Sequence, residues 1–371
     1  MPISPDMAED LAAAVADLYE GAEQVLIDRI RQALVAGIDS PTWVEQKLAA
    51  LGNLQAGIME IIAALEADAS GAVGQAVAEA YERGVQAAAA ELGAHGVGQT
   101  AAALQVLPTA PVVDRIAQAV IADTGPVHLR MLRQSTDVYR EVISRAAAAP
   151  VLGAQTRRQA AQAALDQFAD RGVRGFVDQS GRSWELRSYV EMSMRSATTR
   201  AAVEAHSDRL GAAGVDLVIV SQAPEECPLC RPWERKILAR AGAPGERTVQ
   251  VEHATEDGEM VTVEVAGSLP EARGKGLMHP NCRHRVSAYL PGVSKVPEEQ
   301  PSRGTYEQSQ QQRYYERQVR KWKRRTEAAM EEKDRKAARA KVRAYQARIR
   351  ELTAETGLPR KSHREQLTTA R

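Results

Sequence analysis

Two short Cys/His knuckles limit what this chain can fold into. The first is Cys227-Pro228-Leu229-Cys230, and the second, much later, is His279-Pro280-Asn281-Cys282-Arg283-His284. Together they hold all three cysteines of 371 residues and two of the seven histidines. A tetrahedral zinc takes four such donors, and two knuckles brought together supply them with little ordering beyond their own turns. Three thiols cannot pair completely, which argues against a secreted disulfide scaffold. Two other readings stay open: unconnected buried thiols, and a redox C-x-x-C following the strand-like Asp216–Ser221. Against the redox reading, Pro224-Glu225-Glu226 puts negative charge beside the thiols, which raises their pKa. The favoured ligands are Cys227, Cys230, Cys282 and His284, with His279 in reserve. A shell closed by four protein donors leaves no place for an activated water, so the zinc would be structural rather than catalytic.

Composition sets the frame around the knuckles. Aromatics are 4% of the chain, with two phenylalanines, and alanine is abundant. That favours helices packed through small side chains over a large β-rich core. Net charge is zero overall but polarised along the chain. Residues 1–100 hold 15 acidic and 4 basic side chains, a net of −11, while residues 301–371 hold 20 basic and 9 acidic, a net of +11. Such asymmetry points to different partners at the two ends. The N-terminus turns acidic at once, so no signal peptide is read, and no apolar run is long enough to span a membrane. The expectation is a protein made and kept in a reducing cytosol.

Hydrophobic spacing predicts the fold class: mainly α with a small α+β unit. An acidic helical region is expected over 1–150, with a helix start at Ser40-Pro41 and helices over 112–122 and 126–149. The Gly93–Gly98 stretch, Pro108 and Pro111 interrupt it. A knuckle and β-hairpin module is expected over 151–292. It comprises helices over 154–171 and 185–209, a strand at 216–221, and a hairpin of Thr248–Glu252 with Met260–Val265 turning at Glu256-Asp257-Gly258. A linker at 293–305 then precedes a basic helical tail over 306–371. There one long helix from Tyr306 to Thr356 is expected, with Val342, Tyr345, Ile349 and Leu352 as a heptad-like seam. Within it, Arg320, Lys321, Trp322, Lys323, Arg324 and Arg325 form a cluster that could contact nucleic-acid phosphates or a protein partner. Its alternative is a solvated face of a coiled coil.

These residues resemble the phage minor capsid protein 2 family, related to the Mu F-type head morphogenesis proteins of tailed phages. The resemblance rests on Gly181-Arg182-x-Trp184, Tyr189-Val190-Glu191-Met192, Cys227-x-x-Cys230-x-x-Trp233, the second knuckle, Tyr289-x-Pro291-Gly292 and the charged helix beyond. It covers residues 170–365 well and the earlier chain less. It implies a low-copy virion component near the portal or inside the phage head, assembled in the bacterial host cytoplasm. Such a protein acts in procapsid assembly and in DNA packaging or delivery. Expected partners are portal, major capsid or scaffolding proteins, with packaged DNA through the basic helix, and neither a membrane nor a small-molecule substrate. In Mu F-type relatives the place of His284 is often a cysteine, which supports it as a ligand. The family also commonly has a glycine shortly after the Trp233 position, where this chain has Glu234-Arg235-Lys236.

Two rival classes remain. A zinc-ribbon nucleic-acid binder would use the same knuckles with the basic helix. A zinc-dependent nuclease would need further histidines, and His253 near Glu252 and Glu256 is the one stray candidate. No P-loop, G-x-S-x-G or H-E-x-x-H motif is present. The expected class is a structural protein, not an enzyme.

Overall fold

The computed structural model describes residues 5–94, 110–151, 155–171, 174–177, 183–223, 227–280, 282–299, 301 and 303–367. Several residues used above lie outside these: Gly96, Gly98, Pro108, Gly181, Arg182, Pro224, Glu225, Glu226 and Asn281. The protein is mainly helical, with small antiparallel sheets, as expected. Its described helices are α1 (Pro5–Val35), α2 (Trp43–Ala49), α3 (Leu51–Ala94), α4 (Ala110–Val151), α5 (Arg157–Arg171), α6 (Leu186–Ala212), α7 (Leu269–Gly274), α8 (Tyr306–Ala328) and α9 (Glu332–Thr356). β1 (Arg174–Val177) pairs with β2 (Ser183–Glu185). β3 (Leu217–Val220) lies between β4 (Ile237–Ala239) and β7 (Val286–Ala288), and β5 (Arg247–Glu252) pairs with β6 (Met260–Val265).

The chain divides into two compact units that are interleaved in sequence. Unit 1 is Met1–Ala13, Ala72–Ile121 and Met192–Tyr306, and unit 2 is Ala14–Gly71, Ala122–Glu191 and Glu307–Arg371. Acidic α1 and basic α8 therefore both contribute to unit 2.

In unit 1, small residues let α3 and α6 approach closely. A Cβ on Gly84 would lie 2.3 Å from the carbonyl oxygen of Ala202, so only glycine fits there. Every residue of β3 is buried, as a central strand requires. The side chain of Glu91, on α3, accepts from the backbone N–H of Ala288 at 2.8 Å and faces buried His206 of α6 at 3.1 Å. The expected hairpin forms with Val249 opposite Val263 and Val251 opposite Val261, turning at Gly258 with φ 77°. Its apolar face joins Leu217 and Ala239 in a small core.

Unit 2 departs from the expected helix boundaries in three places. Ser40 does not cap a helix: its hydroxyl faces that of Thr42 at 3.2 Å, and α2 starts at Trp43, whose indole N–H donates to the carbonyl of Leu34. The helices expected over 112–122 and 126–149 are one, α4, running through Gly125-Pro126. Buried Thr124, Val127, His128 and Met131 surround that point, so packing holds a helix that local propensity would end. The single helix expected over 306–356 is two. Gln162, on α5, donates to the carbonyl of Ala328 at 3.5 Å and accepts from the N–H of Met330 at 2.6 Å, taking up backbone groups freed by the break. No single described helix is long and apolar enough to cross a membrane.

Candidate metal centre

Local turns present the first knuckle. The N–H groups of Cys230 and Arg231 both donate to the carbonyl of Cys227 at 3.1 Å, and a short 3-10 turn over Arg231–Trp233 follows. The second knuckle is held from both sides. Before it, α7 starts with a reciprocal capping box of Ser268 and Glu271. Glu271 also accepts from Lys275 and from the N–H of Gly245, both at 2.8 Å, and its carboxyl pKa falls to about 2, chiefly through the Lys275 bond. After it, β7 joins the central sheet, and the N–H of Arg285 donates to the hydroxyl of Ser221 at 2.9 Å.

All five predicted donors converge, in two triples that share Cys230. Cys227, Cys230 and His279 form one, and Cys230, Cys282 and His284 the other, with ligand atoms in each within 4.8 Å of one another. The Cys227 sulfur lies 2.9 Å from His279 Nε2, the Cys230 and Cys282 sulfurs are 3.5 Å apart, and the Cys282 sulfur is 3.3 Å from His284 Nδ1. Two thiolates on one tetrahedral zinc, each about 2.3 Å from it, lie about 3.8 Å apart. The Cys230–Cys282 spacing suits that and is far beyond a disulfide's S–S length of about 2.05 Å.

Each histidine has an outer partner on its other nitrogen, the usual arrangement behind a metal-binding imidazole. His284 Nε2 is 2.6 Å from Glu234, whose same oxygen accepts from the N–H of Ala223 at 2.9 Å. His279 Nδ1 is 2.7 Å from the carbonyl of Pro280. Glu234 is the residue that sequence reasoning misses; a carboxylate four positions after a cysteine carries no signal of its own.

The two buried thiols of the cluster are shifted in opposite directions. The Cys282 pKa is lowered to about 4, first by the hydrogen bond with Cys230 and then by His284, against burial. The Cys230 thiol is pushed up, by its bond to Cys282 and by burial. Burial lowers His284, yet Cys282 and Glu234 outweigh it and leave its pKa raised. Arg285 is buried beside them and lowered by that burial to about 10, with Cys282 opposing the shift. It is a cation suited to offset thiolate charge. Cys230 and Cys282 also belong to the apolar core of unit 1, with Trp233, Leu277 and Val286. Simple thiol packing explains that burial, but not two imidazoles against the sulfurs with a carboxylate behind one of them. Each triple offers three donors of the kind a structural zinc takes, and the expected set Cys227, Cys230, Cys282 and His284 spans the two.

The other predicted contacts fall elsewhere. Arg320 and Arg324 are buried in unit 2, 3.9 Å from Glu20 and 3.8 Å from Glu23 respectively. Arg187 joins them, pairing with Glu20 and, at 2.8 Å, with Asp17. Arg325 bonds to Asp170 and faces Asp166 at 3.6 Å, while Lys321 lies 3.2 Å from Asp170. Lys323 is half-buried and donates to Gln366 at 3.0 Å. Trp322 is half-buried beneath the guanidinium of Arg325, 4.6 Å from its ring centre. Much of the positive charge in this stretch thus faces carboxylates of the same unit. His253 lies with Glu256 and Glu259 at the hairpin turn, and Glu252 instead accepts from the N–H of Gly258 at 2.9 Å.

A mainly helical protein with a small β unit built around a Cys/His cluster is the class these observations define. The chain belongs to the phage minor capsid protein 2 family, whose model matches residues 3–354. A structural protein of Lactococcus phage LL-H is 28% identical over 226 residues, covering 59% of this chain and 58% of that protein. The match therefore spans less than two thirds of that relative. A structural protein of Lactococcus phage mv4 is 39% identical over 101 residues, 25% of this chain and 81% of the relative. No solved structure matches.

Proposed function

We propose that this protein is a low-copy structural component of a phage head, placed near the portal or inside the capsid, where it takes part in procapsid assembly and in DNA packaging or delivery. The observation that carries this reading is the family match over residues 3–354, together with relatives described as structural proteins of phages. Portal, major capsid or scaffolding proteins are the partners, and assembly takes place in the host cytoplasm. Cys227, Cys230 and Cys282 hold a structural zinc with His284 as the fourth ligand, and His279 is the reserve beside Cys227. His284 is the choice because it is buried and oriented by Glu234. In this role the zinc ties the segment before β4 to the segment before β7, and Arg285 balances the thiolate charge.

The test is quantitative mass spectrometry of purified virions beside empty procapsids. A few copies per particle in both supports the reading. Absence from both particles, with the protein present only in infected lysate, overturns it.

A further inference from the structure

The basic cluster over 320–325 largely meets internal carboxylates, but α9 carries a second one. Residues 335–350 hold seven basic side chains and no acidic one. Four exposed ones, Lys336, Arg339, Arg343 and Arg350, share one face. At 3.6 residues per turn these four fall within about 60° of arc, a row about 21 Å long. The buried residues of this helix, Ala338, Ile349 and Leu352, lie on another side. Among the described residues no ion pair involves any of the four, whereas Arg335 is paired with Glu332 at the helix start.

We propose that this outer face of α9 is a docking surface for the phosphate backbone of duplex nucleic acid. Three features favour that occupant over an acidic protein. The charge is single-signed along the whole row, which suits an extended run of anions rather than one acidic patch. Three of the four cations are arginines, whose planar fork suits phosphate oxygens. Between them the face exposes only alanines, Ala340 and Ala347, and lacks the aromatic anchors of protein interfaces. Two further cations lie well around the helix from this row, stacked on aromatic rings: Arg348 sits 5.2 Å from the ring centre of Tyr345 and Lys341 sits 5.9 Å from that of Trp322. The inference stands on charge placement alone and goes beyond the capsid reading: it can fail while the protein is still found in virions.

The experiment is fluorescence anisotropy of the full chain with a labelled duplex DNA across a salt series. The comparison variant carries Lys336→Gln, Arg339→Gln, Arg343→Gln and Arg350→Gln. Removing one phosphate-neutralising cation should flatten the slope of log affinity against log salt by about 0.9, so removing all four should flatten it by about 3 to 4. Wild type should then lose on the order of 100-fold more affinity than the variant between about 50 and 200 mM salt. Circular dichroism checks that the variant is folded, and Arg343→Glu alone is the second variant, expected to weaken binding without unfolding. The proposal is overturned if wild type does not bind the duplex at low salt, or if the slope is unchanged in the folded variant. It is equally overturned if polyglutamate competes as well as DNA does, which would assign the face to an acidic protein.

Discussion

Unit 1 and unit 2 each bury polar side chains, and they satisfy them by different means. In unit 1, three thiols and two imidazoles converge in two triples that share Cys230. Such soft donors repel once ionised, and in the proposed reading a cation brought from outside completes them. In unit 2, Arg187, Arg320 and Arg324 meet Glu20 and Glu23, and the opposite charges are supplied by the chain itself. In the proposed zinc reading, one region depends on a ligand for its stability, while the other relies on ion pairs within its own chain. The contrast teaches that charge counted along a sequence does not reveal whether it is neutralised internally. Part of the acidic excess before residue 100 and of the basic excess after residue 301 cancels inside unit 2.

The largest effect that would separate the two regions comes from Cys282→Ser. With the zinc reading, this variant should lose its metal and the cooperative melting of unit 1, since a structural zinc contributes on the order of 10 kcal/mol to such small folds. Probes in unit 2 should change much less. Hydrogen exchange resolves the two, and uniform protection in the variant would remove the distinction. Next in size is Arg320→Met, which leaves Glu20 with one fewer buried cation. Breaking a buried pair from one side costs about 3–5 kcal/mol, whereas Glu20→Gln combined with Arg320→Met should cost less than the sum of the two. Denaturant melts of both variants and the double variant measure this; strict additivity would mean that the charges are not coupled.

A smaller effect is expected from the helix that leads into the second knuckle. The carboxyl of Glu271 has a folded pKa of about 2 against an ordinary 4.5, largely through Lys275. A depressed carboxylate stabilises the fold above its ordinary value and loses that contribution as the pH falls through about 2. Stability should therefore decline between pH 4.5 and about 2, and Glu271→Gln should flatten that decline in acid melts. The smallest change is Arg235→Gly. Arg235 has φ 61°, a left-handed backbone that costs a side-chain-bearing residue about 1 kcal/mol. Its guanidinium donates to the carbonyl of Pro297 at 2.8 Å and recovers part of that. A net gain of about 0.5 kcal/mol is expected, and a clear loss on thermal denaturation would show that the side chain matters more than the turn.

Much of this is legible from the residues. The knuckles, the hairpin and the helical class follow from donor spacing, period-2 alternation and alanine-rich helical stripes. The resemblance also flags a glycine near Arg235, and the positive φ there gives its physical reason. What the sequence hides depends on distant partners. Gln162 divides 306–356 into two helices across 166 positions of chain, and packing carries α4 through Pro126. The cations at 320–325 look exposed in sequence because their carboxylate partners lie far away along the chain. The row on α9 escapes notice because its charges are spread over several turns rather than adjacent.

The most direct test of the central claim is metal content, measured by elemental mass spectrometry on untagged protein purified without added metal. The account predicts about one zinc per chain, absent from Cys227→Ser and Cys282→Ser, with His284→Ala losing more than His279→Ala. A well-folded, metal-free wild-type chain would contradict it and reduce the three thiols to core packing.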